Sequence, residues 1–581
     1  VTAITGPDGS RTEFGYDEAF RLTEVTRAGL TWRYGYDPAG RLVAATDANG
    51  ASTEYSYDPA GQLTGRVNAA GQAAAFGYDD LGNLTTSEAG EVVTTFGYDP
   101  AGRLMLACNP DAQLRLSRDP RGRVTAETCN DRTVISEYDG AGRRSRRLTP
   151  GGAHQRSEYD ESGRPVLLEA SGHLLRFGYD RAGRQIRREL PGGLALSQDR
   201  DAAGLLAAQV LAAPDGRVLA RRAYTYTAAG LLTGIDDLTA GPRRYTLDPA
   251  GWITAVRGPG WAEQYSYDPA GRVCHARWIE PPPDVRDSWL EADVQGPRAR
   301  SGTLVTAAGT LRYAHDKQGR VISRQRAHLP GEPATWTYQW DAEDRLTAVT
   351  TPDGSTWRYR YDPLGRRIAK QRLDSSGTLS QETTFIWDGA VLAEELTWRT
   401  ARHGRASWEC VTWDYQPGTG IPLIQFERAF SDGDSQVARG QRFYAVVTDQ
   451  LGTPAELVCA DGAVSGIGQH TVPGGTLWHP GGVSTPLRSP GHYHDCETGL
   501  RYHQQRYYDP VTGDYLTPEP PRITRGTYWG SGYPASFCRA TARRDNIALR
   551  FPSAIGRNIA FVGGAQGAVT RSADPAAGGP G

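Results

Sequence analysis

The chain has one methionine, Met105, in 581 residues, and it opens on Val1. It therefore reads as starting inside a longer reading frame or as cut, and a missing signal peptide says little about export. It has no charge excess, with Lys+Arg 64 against Asp+Glu 66 and a pI near 6.7. That excludes a general nucleic-acid binder, which needs a basic surface to displace phosphate counterions. No apolar run approaches the roughly 18–20 residues that cross a bilayer. The richest stretch, residues 205–213, is too short, so no membrane span is expected and the protein reads as soluble. Seven cysteines are scattered with no CxxC spacing and an odd count, which fits isolated thiols rather than a disulfide framework. GxSxG, HExxH, Walker A and a helix-linked GxGxxG are all absent, so no cofactor or standard catalytic motif is expected.

What is present is turn formers and aromatics, Gly 70, Pro 37, Tyr 28 and Trp 14, a composition suited to β structure. An aromatic–Asp pair recurs at Tyr16-Asp17, Tyr36-Asp37, Tyr57-Asp58, Tyr78-Asp79, Tyr98-Asp99, Tyr138-Asp139, Tyr159-Asp160 and Tyr179-Asp180. It returns at Tyr267-Asp268, Trp340-Asp341 and Tyr361-Asp362, on a spacing of about 20–21 residues. Degenerate copies at Arg118-Asp119, Leu247-Asp248 and His315-Asp316 keep the register. Glycine follows four residues after the aromatic, then often an Arg and an aliphatic, as in Gly40-Arg41-Leu42.

Each unit reads as two short strands and two turns. Asp37-Pro38-Ala39-Gly40 places Asp, Pro and Gly where a type I turn prefers them. Aromatics at two-residue spacing, such as Tyr34 with Tyr36 and Tyr55 with Tyr57, fall on one strand face. Neighbouring repeats are expected to stack these rings into stripes. A sugar-binding aromatic ladder is the sharper reading of the same stripe. A ribbon of some fifteen such hairpins exceeds the roughly ten strands an open sheet sustains, so it must coil. The predicted fold class is all-β: one long spiralling antiparallel sheet forming a hollow shell or barrel, closed by a C-terminal plug.

The YDxxGR(L) repeat resembles the YD repeats of the Rhs family, which are related to the B and C components of insecticidal toxin complexes and to teneurins. Further matches lie at Thr448-Asp449-Gln450-Leu451-Gly452-Thr453-Pro454, at residues 486–491, and at Arg506-Tyr507-Tyr508-Asp509-Pro510 through Tyr515-Leu516-Thr517-Pro518-Glu519-Pro520. These are similar to the Rhs repeat-associated core. The expected organisation is YD repeats over 1–390 with an irregular insertion near 272–310, and further irregular strands over 391–440. The core follows over 441–520, then an Arg-rich divergent tail over 521–581, for which disorder is one reading.

The resemblance implies a shell that houses a C-terminal toxin, exported by a bacterial secretion system, with the core as end plug and an aspartyl autoprotease in it. The family's arginine falls at Arg506 and its first acid at Glu519. The second acid belongs to a DPxGL motif that nothing after Glu519 matches; Asp574-Pro575-Ala576-Ala577 lacks its Gly and Leu. An acid pair sharing one proton is what such hydrolysis needs, so the machinery reads as incomplete. The tail reads as a remnant toxin domain, a diverged core end, or an out-of-frame or truncated translation, and the loss of pattern after Pro520 favours the last.

His492, His494 and Cys496 alternate on one strand near His503, a pattern open to metal ligation or to plain exposed polarity; no metal is expected. The implied partners are an encapsulated toxin segment in cis and a secretion-apparatus protein, with no nucleic acid. The competing readings are a secreted or cell-surface protein binding carbohydrate or another cell, and a cis-acting autoprotease using Arg506 and Glu519.

Overall fold

A computed structural model describes residues 2–6, 10–279, 295–327, 333–400, 406–430, 438–470, 476–478, 482–503 and 505–518. They form 47 strands, numbered in chain order from β1 (Ala3–Thr5) to β47 (Asp514–Tyr515), and one short 3-10 turn at Pro191–Gly193. A single sheet holds 43 strands, each antiparallel to the next in sequence, and the last four form a separate sheet. The protein is thus all-β, as expected. Among the described residues no helix is long and apolar enough to cross a membrane.

One repeat explains the motif. Strand β14 (Arg132–Tyr138) turns through Asp139 into β15 (Arg144–Leu148), and β16 (His154–Tyr159) starts the next copy. The Gly142 N–H closes the turn on the Asp139 carbonyl at 3.0 Å, with Gly142 at φ 87°, where a Cβ is strained. The ladder slips by one residue at Tyr138, so the turn is type I followed by a bulge. Asp139 accepts the Arg143 main-chain N–H at 2.9 Å and its Nε–H at 2.6 Å. Arg143 then reaches into the next repeat, donating to the Asp160 carbonyl at 2.8 Å with its guanidinium 5.0 Å from the Tyr159 ring centre. The Tyr159 hydroxyl reaches back to the Arg144 carbonyl at 2.8 Å. A copy with the full motif is therefore tied to its neighbours in both directions.

The same backward bond runs from Tyr36 to Leu22, Tyr57 to Leu42, Tyr78 to Leu63 and Tyr267 to Ile253. Where tryptophan replaces tyrosine the indole N–H substitutes, from Trp340 to Val321 and from Trp387 to Arg367. Even the degenerate Arg118 points a guanidinium N–H at the Leu104 carbonyl. What the position requires is a flat donor, which is why the motif tolerates these exchanges.

The expected ring-on-ring stripes take a different form. Equivalent tyrosines lie two strands apart, roughly 10 Å, beyond stacking range. Arginine fills the interval, with Arg21, Arg41, Arg123, Arg143 and Arg164 each lying 4.6–5.2 Å from the next ring centre. The stripe is alternating Arg and Tyr.

The opposite face of the early repeats is exposed and carries ion pairs, across strands as in Arg146–Glu137 and along one strand as in Arg187–Glu189. The tyrosine face is half-buried, and the ribbon winds back on itself. Residues 234–277 apart in sequence are bonded all along its length, from Asn49–Thr303 through Gly151–Arg428 to Arg222–Glu456. One turn therefore takes about twenty strands, for example from β15 to β36 (Leu379–Asp388), a perimeter of roughly 100 Å. Two main apolar cores result. Leu168, Leu175, Phe177 and Leu196 of the first turn pack on Leu423, Phe426 and Phe443 of the second. The other core joins the second turn to the small terminal sheet.

The 20-residue period fades beyond residue 380 because the strands lengthen. Strands β37 (Val391–Thr400), β38 (Ala406–Tyr415) and β39 (Pro422–Phe430) have ten, ten and nine residues against five to seven in the early copies. Around the irregular 272–310 stretch, β27 (Val273–Ile279) and β28 (Gly296–Ser301) continue the sheet, and residues 280–294, with Pro281–Pro283, lie outside the described residues.

Tyr138→Phe deletes one backward bond, from the hydroxyl to the Val124 carbonyl at 2.7 Å, at little cost in packing. We expect a loss of about 1 kcal/mol, read from the urea midpoint; an unchanged midpoint would show that the hydroxyl contributes nothing. The turn carboxyls also set a pH limit. In Asp37, Asp139 and Asp160 the N–H of the arginine four residues on outweighs desolvation and, with the guanidinium, holds the pKa below the ordinary 3.8. A depressed folded pKa stabilises above the unfolded pKa and is lost as pH falls through the folded one. Protection factors of the Arg41, Arg143 and Arg164 amides, corrected for intrinsic exchange, should hold at neutral pH and drop below about pH 4.

Candidate functional site

The terminal sheet comprises β44 (His492–Asp495), β45 (Leu500–His503), β46 (Arg506–Asp509) and β47. Its register aligns Tyr493, Tyr502 and Tyr507 across three strands. Alternation puts these rings, with Asp495, on the face that packs against the wall, and His492, His494, Arg501, His503 and Arg506 on the other.

At the centre of the packed face lies Arg367, 1 % exposed, from β35 (Arg367–Leu373). Its two terminal nitrogens donate to the Asp495 carboxylate at 2.6 and 3.0 Å. Tyr359, Phe385, Tyr493, Tyr502 and Tyr507 surround the guanidinium with ring centres at 4.6–5.7 Å. Lys370 Nζ lies 3.1 Å from both Asp495 and Glu497. Burial pushes the Asp495 carboxyl up, and the Arg367 and Lys370 charges override it and hold the carboxyl below its ordinary value. The pairing is planar and bidentate, a geometry that arginine supplies and lysine does not.

Further bonds surround this centre. Tyr313 donates to Asp509 at 2.8 Å, Arg300 lies 2.5 Å from Asp514, and Gln505 reaches the Leu364 carbonyl at 2.7 Å. The Val321 N–H bonds the Leu516 carbonyl at 2.9 Å, main chain to main chain. The small sheet is thereby fixed to the wall between β28 and β36 by charge, aromatic packing and backbone together.

Arg506 lies on the other face. It donates to the Thr517 carbonyl at 2.6 Å and stacks 3.9 Å from the Tyr515 ring centre. It therefore holds the strand that leads toward Glu519, which itself lies outside the described residues, as do Asp574 and the whole 521–581 tail. Of the histidines weighed as ligands, His492 and His503 stack with centres 4.0 Å apart, and His503 Nδ1 lies 2.8 Å from the Tyr515 hydroxyl. Burial, then neighbouring arginines, push His494 down to about 3 and His503 down to about 4. Both are neutral imidazoles in cationic surroundings, which repel a metal ion. Cys496 lies past the strand end, exposed, and no group of three or more His, Cys, Asp or Glu converges among the described residues.

The sequence reading missed Arg367, Lys370, Asp495 and Glu497. A signal for Arg367 was present: the slot after the motif arginine is usually aliphatic, and Gly365-Arg366-Arg367 breaks that rule. Gly142-Arg143-Arg144 breaks it too, and Arg144 finds Asp388 at 2.6 Å. A charge in an apolar slot marks a buried partner far along the chain. The tyrosine faces that a sugar would stack on already carry guanidinium groups at Tyr36, Tyr57, Tyr138, Tyr159 and Tyr179.

Arg367→Met should free the small sheet, since Asp495 is left buried without its arginine at a cost of about 3–5 kcal/mol. Limited proteolysis of the 492–515 region should accelerate strongly, and adding Asp495→Asn should restore part of the resistance. Equal cleavage rates in all three proteins would remove Arg367 from the docking role.

The RHS Repeat family matches residues 1–31, 21–52, 36–73, 78–107, 334–356 and 340–379. Probable deoxyribonuclease RhsB of Dickeya dadantii is 33% identical over 560 residues, covering 90% of this chain and 36% of that protein. Toxin protein Tse5 of Pseudomonas aeruginosa is 28% identical over 344 residues, covering 52% of this chain and 25% of that one. The chain thus spans about a third or less of the length of these relatives. Among solved structures, the TcdB2-TccC3-Cdc42 crystal structure aligns with a TM-score of 0.67 at 14% identity, covering 93% of this chain and 30% of that one. That likeness concerns the fold. With the repeat anatomy in place, the chain belongs to the Rhs/YD-repeat family.

Proposed function

We propose that this chain is the wall and end plug of a shell that encloses a toxin segment for export. The observation that carries the reading is the terminal sheet docked on the tyrosine face of the winding ribbon through Arg367 and Asp495. A sheet seated on that face is what an end plug requires, and a display or adhesion protein has no need of one. Toxin-associated relatives support the same reading, and delivery by a bacterial secretion system in competition between cells is its natural extension. The division into repeats over 1–390, linker strands over 391–440, plug over 441–520 and tail over 521–581 belongs to this proposal.

Within it, Arg506 holds the last described strand through the Thr517 carbonyl. Cutting the chain would need a second carboxylate beside Glu519, and the sequence offers no match for it, so the reading is of a scaffold rather than an active protease.

Protease protection tests the proposal. A disordered, protease-sensitive reporter fused after Gly581 should resist proteinase K in the native protein and become sensitive after denaturation. Digestion at the rate of the free reporter in the native protein would overturn enclosure.

A further inference from the structure

The two turns of the ribbon are joined in two different ways. From Asn49 to Gly151 the contact is mostly polar. Asn49 bonds Thr303, Asp111 bonds Arg360, and Glu127 bonds Arg366 and the Gly389 N–H. Arg147 meets Asp414 at 2.7 Å. Glu394, 1 % exposed, accepts from Thr149 at 2.6 Å, the Gly151 N–H at 2.8 Å, Thr412 at 2.7 Å and Arg428 at 2.9 Å. A small cluster of Ala74, Ala89 and Ala342 is the apolar contribution there. From Ala153 onward an apolar core joins the turns, with Leu168, Leu175 and Phe177 set against Leu423, Phe426 and Phe443, and the polar bonds from Arg188, Gln209 and Arg222 are added to it.

We infer that the polar stretch is an opening line: between Asn49 and Gly151 the ribbon parts from the second turn, hinged where the apolar contact begins near Ala153. Three costs decide this. Separating strands within the ribbon would strip main-chain bonds from every residue of the ladder. Separating the apolar stretch would put leucine and phenylalanine side chains in water with nothing in return. Separating the polar stretch returns carboxylates and guanidinium groups to water, whose solvation offsets most of the lost attraction. The last is the cheapest sub-global opening available to the fold.

Geometry agrees. A cavity of about 390 Å³ lies on the polar stretch, lined by Asp111, Glu127, Asn130, Arg132, Arg360 and Arg366, so the two turns are imperfectly packed along that line. Contact at Glu394 is also sterically exacting, because a Cβ on Gly151 would meet its carboxylate and the Arg428 guanidinium at 2.8 Å. The inference goes beyond the scaffold reading and requires no enclosed cargo.

Five main-chain N–H groups donate to side chains across this line: Ala69 to Gln318, Gly151 to Glu394, Thr303 to Asn49, Tyr361 to Asp111 and Gly389 to Glu127. Native-state hydrogen exchange on the full chain, resolved to single amides, reads them directly. They should exchange at least tenfold faster than ladder amides of the adjoining strands. In Glu394→Ala the four distant amides should accelerate together, while ladder amides and those of the 168–177 segment stay unchanged. Asn49→Ala, at the far end of the line, should accelerate Gly151 and Gly389, and it keeps the test decisive if the Glu394 variant does not fold. Seam amides as slow as the ladder, or acceleration confined to the one amide whose acceptor was removed, would overturn the inference.

Discussion

The structure depends on one repeated hydrogen-bonded link. An aspartate at a turn fixes the arginine four residues on, the arginine reaches the next turn's carbonyl, and the next aromatic reaches back past it. Asp139, Arg143 and Tyr159 show the full link. Main-chain pairing alone leaves a sheet free to slip, since a one-residue shift exchanges its faces. Where it is complete, as at Arg21, Arg41 and Arg143, this link specifies register through side chains as well as main chain. It also explains how 43 strands stay in one sheet, where ordinary open sheets curl or split near ten. Curling happens here too, and the ribbon uses it to wind.

Winding creates a second requirement. A face that is half solvated in an isolated hairpin becomes covered a turn later, so charged side chains there need partners about 250 residues away. The structure meets this with arginines such as Arg144, Arg147, Arg222 and Arg366 set against acids of the other turn. Their net contribution to stability is small by comparison with apolar contacts, because each ion was well solvated before burial. Their value lies in specificity: a turn that docks out of register leaves a charge buried alone. The Arg367–Asp495 pair applies the same logic to the terminal sheet.

The repeats, the two-strand unit and the coiling sheet were legible in the residues, because turn chemistry and period-2 alternation are local. The Asp37-Pro38-Ala39-Gly40 turn and the strand that carries Tyr55 and Tyr57, β6 (Ser52–Tyr57), lie where the pattern placed the turn and the two rings. The aromatic stripe was misread as ring stacking, since the sequence shows which face the rings share and not the two-strand gap between them. Of the site, Arg506 was legible through its motif. Arg367, Lys370, Asp495 and Glu497 were not, because a buried charge looks like any surface charge until its partner is known.

The sequence by itself determined the unit: a hairpin with a fixed turn, one aromatic face and a donor at its end, repeated until the sheet had to curl. Tertiary structure alone decided which units meet. That pairing depends on the pitch of the winding, a small rotation per strand summed over about twenty strands, and no single repeat encodes it. The same accumulated twist brings Arg222 to Glu456 and Glu394 to Gly151. Neighbours in the chain were set by local chemistry, and neighbours across the seam by a sum that only the folded ribbon performs.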